Sequence, residues 1–245
     1  MALHSMHTIV LATQKGGSGK STLAISLALA AKKAGHNVRL IDADPQGTLS
    51  NWRKRRVDAE PIVETIDTVQ DIEPRLRALR DSGVTLTIID AAGGVSSART
   101  AAIRHADLCL IPARPTTADI EATASTLSLV RAWSKPFAFV LNQVPSRGRR
   151  IDDAAETLAD EAAIDLIEVL ARPFIVMRND HQDALSAGLA VSEYAPTSKS
   201  TEEIRRLWNW IEARLGVDAS AGVVATSPFA GLHLPIRAEQ PAFIL

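Results

Sequence analysis

Eight consecutive residues, Lys15-Gly16-Gly17-Ser18-Gly19-Lys20-Ser21-Thr22, bring together the groups that binding a polyphosphate requires. Glycines at 16, 17 and 19 keep side chains off the backbone, so successive N–H groups can turn toward phosphate oxygens. Lys20 is placed to neutralise β- and γ-phosphate charge, the Ser21 hydroxyl to sit on Mg2+, and Thr22 to reach the α-phosphate beside a helix N-terminus. An ordinary turn explains the glycines alone, but not Gly-Lys-Ser between a strand and a helix. The first position of the usual phosphate loop is a glycine; here it is Gln14, and an additional lysine stands at Lys15.

Three carboxylates have the spacing to complete such a site. Asp42 and Asp44 stand two apart at the end of an extended segment, so continued strand geometry turns both to the same side. An aspartate just before Pro45 has a second reading as a turn cap. Asp90 ends an apolar run, Thr87-Ile88-Ile89-Asp90, where an unpaired carboxylate is costly and a metal site is the better account. The small residues Ala91-Ala92-Gly93-Gly94 follow, and Gly93 is a candidate for close approach to a γ-phosphate and for movement when that phosphate is lost.

The elements that must hold these residues alternate in the pattern of a doubly wound α/β domain with a mostly parallel sheet. Apolar or β-branched runs at 8–12, 38–41, 86–89, 108–111 and 137–141 read as strands, and each ends in polar, Gly or Pro residues where an open α/β sheet keeps its ligand crevice. A helix is expected over 20–34, stopped by Gly35, and another over 201–215 with Ile204, Leu207, Trp208, Ile211 and Leu215 on one face. Trp210 falls off that stripe and is a candidate partner contact. Arg53-Lys54-Arg55-Arg56 is expected on an exposed helix side or loop. At 245 residues the chain can bury one sizeable core. Residues 1–5 read as an appended scar outside the domain, 6–216 as the domain, and 217–245, rich in Ala, Gly, Ser and Pro, as a flexible tail.

Composition narrows the function classes. A net charge of -1 gives no global attraction to nucleic acid, so any such affinity must come from a local basic patch. The single cysteine, Cys109, cannot form an internal disulfide or a cysteine-based metal cluster and reads as an inert core thiol in a cytoplasmic protein. Neither a membrane-length apolar stretch nor a secretory leader is expected.

Lys15-Gly-Gly-x-Gly-Lys-Ser-Thr resembles the ParA/MinD family of deviant Walker P-loop ATPases, and most closely its short ParA-type partition members. Leu40-Ile41-Asp42-Ala43-Asp44-Pro45-Gln46-Gly47 looks like the family's second aspartate motif, and 87–90 like its Walker B strand. Ile111-Pro112 with Asp119 agrees, as does Arg178 to Glu193 with Gly188-Leu189-Ala190-Val191. The resemblance covers roughly 6–215 and implies a seven- or eight-stranded sheet, ATP and Mg2+ as cofactors, and a nucleotide-dependent homodimer. It gives Lys15 a role across the dimer interface on the opposite subunit's phosphates, Asp44 the attacking water, and Asp42 and Asp90 the Mg2+ through its waters. It also gives Asn142 the adenine side, with Pro173 and Phe174 in an adenine-covering loop. Two alanines at 91 and 92, where relatives often carry Thr or Pro, depart from the pattern of water positioning.

The resemblance further implies binding of nonspecific DNA as an ATP dimer and hydrolysis stimulated by a ParB-like or other cargo adaptor, with the ATP form on the nucleoid. Candidate phosphate contacts are Arg147, Arg149, Arg150, Arg178, Lys199, Arg205 and Arg206. The alternative is a MinD-like membrane-associated regulator, which needs a terminal amphipathic anchor that a Pro-interrupted tail matches poorly.

Overall fold

The segments Leu86–Ala91 and Leu108–Ala113 are apolar almost without a break, and every residue in both is buried. Strands covered on both faces need no polar alternation, and that is how they lie here. In the computed structural model, which describes residues 6–220 apart from 67, 95, 148 and 165, six strands form one parallel sheet. They are β1 (His7–Leu11), β2 (Val38–Ala43), β3 (Ile62–Thr65), β4 (Leu86–Ala91), β5 (Leu108–Ala113) and β6 (Phe137–Leu141), in the order β3-β2-β4-β1-β5-β6. The helices are α1 (Lys20–Lys33), α2 (Thr48–Arg55), α3 (Ile72–Asp81), α4 (Ser97–Arg104), α5 (Thr117–Glu121) and α6 (Ala124–Ala132). They continue as α7 (Arg150–Ala162), α8 (Leu166–Val169), α9 (Asp180–Ser186), α10 (Val191–Tyr194) and α11 (Lys199–Ser220).

Alternate strand residues feed two apolar layers. Val10, Ile41, Ile89 and Ile111 pack with α3, α4, α6 and α7, whereas Ile9, Leu40, Ile88 and Leu110 pack with α1, α2, α9, α10 and α11. The central helix α1 is rich in Ala and Leu and is buried over most of its circumference, as a helix sandwiched between sheet and outer helices must be. The stripe Ile204, Leu207, Trp208, Ile211 and Leu215 on α11 is buried as expected. Cys109 is fully buried, and burial pushes its thiol up to about 12, so it is uncharged and inert.

Several expectations change. The strand β3 carried no continuous apolar signal because it is an edge strand with both end residues exposed. The described residues hold six strands, close to the seven or eight implied by resemblance, and the chain returns to the sheet edge beyond β6. There Ala171 and Ile175 donate backbone bonds to Phe139 and Leu141, at 2.9 and 3.0 Å, but only isolated bridges at Phe139–Leu170 and Val144–Val176 result. Pro173 lies between them and has no N–H to continue the ladder.

Trp210 is half-buried against the α1/α11 layer, with the Arg214 guanidinium 5.2 Å from its ring, so it is packed within the domain. Arg56 is buried rather than solvated. Its two terminal nitrogens each donate to Glu193 at 2.7 Å, and its guanidinium lies 5.0 Å from the Trp52 ring. Helix α11 runs through Ser220, past the boundary expected at 216, while 1–5 and 221–245 lie outside the described residues.

Candidate functional site

The register brings the candidate residues together. Leu11 at the end of β1 pairs with Asp90, and Asp90 pairs across the other side of β4 with Asp42, so three strand ends stop at one level of the sheet. The turn from Lys15 to Gly19 rises from that edge and enters α1 at Lys20. Gly19 is the residue before the helix and has φ +89°, a conformation an L side chain resists. A Cβ there would also strike the Asn142 amide. The first turn of α1 has no acidic residue and no side-chain cap, which leaves its N–H groups to a ligand.

Two residues after β6 brace this turn from behind. Asn142 Nδ2 donates to the Ser18 carbonyl at 2.7 Å, and Gln143 Nε2 donates to the Gly17 carbonyl at 3.0 Å. Sequence reasoning placed Asn142 on the adenine side, not as a brace of the turn, and missed Gln143, which no motif signalled. A cleft beside the turn is lined by Gly19, Thr22, Asn142, Ile175, Met177 and His181, among others. Pro173 and Phe174 are not among its lining residues; Phe174 packs against the opposite apolar layer, with Arg172 4.1 Å from its ring. One wall of the cleft is supplied by 175–178, after the chain has returned to pairing along β6.

Lys20 is buried, and burial holds its ammonium below the usual lysine range; Asp90 and Asp44 draw it back up, while Arg99 opposes them. Asp90 is fully buried and both of its oxygens lack a hydrogen-bond partner. Burial raises its carboxyl to about 7, the Ser21 hydroxyl and Lys20 favour the charged form, and Asp42 and Asp44 disfavour it. A buried carboxylate with both oxygens open beside a serine hydroxyl fits a hydrated divalent cation, whose charge would add to that of Lys20.

Asp42 is differently occupied: its Oδ2 accepts from both the N–H and hydroxyl of Ser50 at 2.8 Å, and its Oδ1 accepts from Asp44 N–H at 3.3 Å. Asp44 accepts from Gln46 N–H at 3.0 Å, the turn-capping role weighed for an aspartate before Pro45, and it is half-buried toward Lys20. Among the described residues no three His, Cys, Asp or Glu side chains converge on one point. Through its bonds with Ser50 and the Asp44 N–H, Asp42 braces the loop that carries Asp44.

The small-residue loop after β4 touches the turn directly. Gly94 N–H donates to the Gln14 carbonyl at 2.7 Å, and a Cβ on Gly93 would stand 3.8 Å from Lys20 Nζ. Lys15 is engaged by a different carboxylate. Its Nζ lies 2.9 Å from Asp119, a buried carboxylate that also accepts from Arg114 at 3.0 Å and from the Thr116 hydroxyl. Burial would raise Asp119, but those three bonds outweigh it and hold its carboxyl below the ordinary value.

A parallel sheet with a Gly-rich turn, Lys20 and Ser21 at the head of its central helix and an acid at the next strand end defines a P-loop nucleotide-binding protein. Residues 9–190 match the CobQ/CobB/MinD/ParA nucleotide binding domain. The chain belongs to this family of nucleotide-binding proteins and is an ATPase. It is 27% identical to maintenance of carboxysome distribution protein A of Halothiobacillus neapolitanus, over 85% of this chain and 98% of that protein. It is 28% identical to the chromosome-partitioning ATPase Soj of Thermus thermophilus, over 84% and 96%. Among solved structures, apo McdA from Cyanothece has a TM-score of 0.68 at 21% identity, covering 82% of this chain and 99% of that one, a likeness of fold.

Proposed function

We propose that this ATPase is a ParA-type positioning switch: Mg-ATP closes a homodimer, the dimer holds nonspecific DNA on the nucleoid, and an adaptor on a plasmid, chromosome or protein cargo accelerates hydrolysis and release. The observation that carries this reading is the setting of Lys15. It flanks the phosphate turn, its side chain is 33% exposed, and it is held by Asp119 instead of turning into its own site. A cation so placed is available to a facing subunit, where it stabilises phosphate charge as an arginine finger does. The names of the relatives, distribution of carboxysomes and partitioning of chromosomes, point the same way.

Bound ATP with Mg2+ supplies the activated phosphoanhydride. The residues of the chain do the rest: N–H groups of 16–20 and the Lys20 ammonium hold the phosphates, while Ser21 and Asp90 orient the metal side. Asp44 aligns and deprotonates the attacking water from a loop that Asp42 and Ser50 keep in place. Of the candidate DNA contacts, Arg178 is committed to Glu203, with bonds of 2.8 and 2.7 Å, and Arg205 to Glu202. Arg147, Arg149, Lys199 and Arg206 are exposed, and the side chain of Arg150 lies outside the description. Dimerisation would place two such weak patches on one duplex and raise affinity by roughly 10²–10⁴.

The test is co-sedimentation with DNA and with anionic liposomes in ATP and in ADP, for wild type, Lys20→Ala and Asp44→Ala. Wild type should pellet with DNA in ATP only, Lys20→Ala in neither, and Asp44→Ala persistently in ATP with turnover lowered about 10²-fold or more. ATP-dependent pelleting with liposomes and not DNA would favour the membrane alternative. Among the described residues no helix is long and apolar enough to cross a membrane.

A further inference from the structure

Arg99 has a setting that neither packing nor the phosphate turn explains. It lies in the first turn of α4, where its N–H donates to the Ser96 hydroxyl at 3.3 Å, and it shares the buried face of the helix with Ala102 and Ile103. The residue is 2% exposed, yet its Nε and Nη1 make no hydrogen bond. A guanidinium cannot shed its charge to escape this cost, and a cation at a helix N-terminus is opposed by the helix dipole as well. Burial disfavours its charge, and the neighbour that acts in its favour is the Cys109 thiol, which is uncharged. Thus, among the described residues, Arg99 is a buried cation with no carboxylate bonded to its Nε or Nη1.

The other end of the same loop is an acid of the phosphate site. Asp90 is a buried carboxyl attended by the Lys20 ammonium and the Ser21 hydroxyl. The chain from 91 to 98 therefore joins that site to a guanidinium with no carboxylate bonded to it among the described residues. A bound triphosphate carries the negative charge that Arg99 lacks. The loop between them already contacts the phosphate turn through Gly94 and Gln14, Gly93 faces the Lys20 ammonium, and the charge of Arg99 reaches Lys20. Movement of this loop toward a terminal phosphate would draw the start of α4 with it.

We propose that Arg99 is a phosphate-sensing cation acting in cis, held in the first turn of α4 and recruited to the terminal phosphate of a bound triphosphate, so that it distinguishes ATP from ADP. The inference rests on the nucleotide-site reading above, in which Lys15 works across the interface; Arg99 works within one subunit. The surrounding structure tolerates the uncompensated charge because the ligand removes it.

Titration calorimetry of the full chain with Mg2+ and either ADP or the β,γ-imido analogue of ATP tests this, alongside melting without nucleotide. Arg99→Met keeps much of the volume and removes the charge. It should weaken the analogue about tenfold or more, the scale of a charge-assisted hydrogen bond, leave ADP within about twofold, and melt no lower than wild type without nucleotide. The same loss should persist in a Lys15→Ala background, where the trans cation is gone. Equal effects on both nucleotides, or none, overturn the proposal, and disappearance of the effect in Lys15→Ala overturns the assignment in cis. Should Arg99→Met fail to fold, Arg99→Lys, which lacks the planar fork, carries the comparison: wild-type affinity for both nucleotides overturns the proposal, and selective loss of the analogue supports it. A wild type that binds neither nucleotide refutes the site itself, a result distinct from a binding-competent wild type with an indifferent Arg99→Met.

Discussion

Gly19 shows how much a single residue decides in this site. Its positive φ shapes the turn into α1, and the space where a Cβ would stand is filled by the Asn142 amide that braces Ser18. Gly19→Ala should therefore act twice, through backbone strain and through displacement of that brace. The expected cost is about 1–3 kcal/mol, read as a fall in melting temperature of roughly 2–10 °C. Binding of Mg-ATP should weaken in the same variant, and unchanged affinity by calorimetry would show that the turn does not need this geometry. The two aspartates of the 42–44 segment illustrate a different lesson. They are identical in type and two residues apart, yet one accepts three bonds from its own loop and the other caps a turn while facing Lys20.

At the scale of elements, the segment from α9 to α11 serves as a clamp on α2 and on the cleft wall. Gly188, at φ +72°, lets the chain pass so close to the end of α2 that a Cβ would collide with the Arg55 backbone. Arg56 then reaches Glu193, whose Oε2 also accepts from Ala190 N–H at 2.8 Å. Farther along, Glu203 on α11 binds both Arg178 and the Val176 N–H, tying the wall of the cleft to the last helix.

Burial raises the Glu193 carboxyl, but the Arg56 and Ala190 bonds prevail and its pKa lies below the ordinary value of 4.5. A depressed acid is stabilising while it is ionised in the fold. Its contribution is complete above about pH 4.5, where the unfolded carboxyl is also ionised, and is lost as pH falls through the lower folded value. Glu193→Gln should cost about 2–3 kcal/mol near neutral pH, less than a wholly buried pair because Glu193 is partly exposed. In urea melts the gap from wild type should close as the pH drops below 4.5; a gap constant with pH would mean that Glu193 acts through shape alone.

For the whole molecule, the Lys15–Asp119 pair relates the phosphate site to assembly. In the single chain Lys15 is engaged by a carboxylate that Arg114 and Thr116 also hold. Closing a dimer as proposed requires Lys15 to leave Asp119 for the facing subunit, so pairing competes with a local ion pair. In an Asp44→Ala background, which slows turnover, size-exclusion with Mg-ATP should show a dimer. Addition of Lys15→Ala should return it to a monomer while each subunit still binds nucleotide. A dimer that forms equally well without Lys15 would remove the intersubunit role.

The amino-acid sequence by itself determined the sheet class, the five buried strands, the phosphate turn and the α11 stripe. These are properties of local order: continuous burial writes an apolar run, and a phosphate turn needs particular residues at adjacent positions. Only the tertiary structure decided that Arg56 is buried, that β3 closes the sheet edge and that Gln143 braces the turn. It also decided that 175–178 lines the cleft beside the turn, and that Arg99 is buried with its Nε and Nη1 left without a hydrogen bond. Each depends on partners far apart in the chain or on the side of an element that faces another, and a hydrogen bond across more than a hundred residues leaves no periodicity to read.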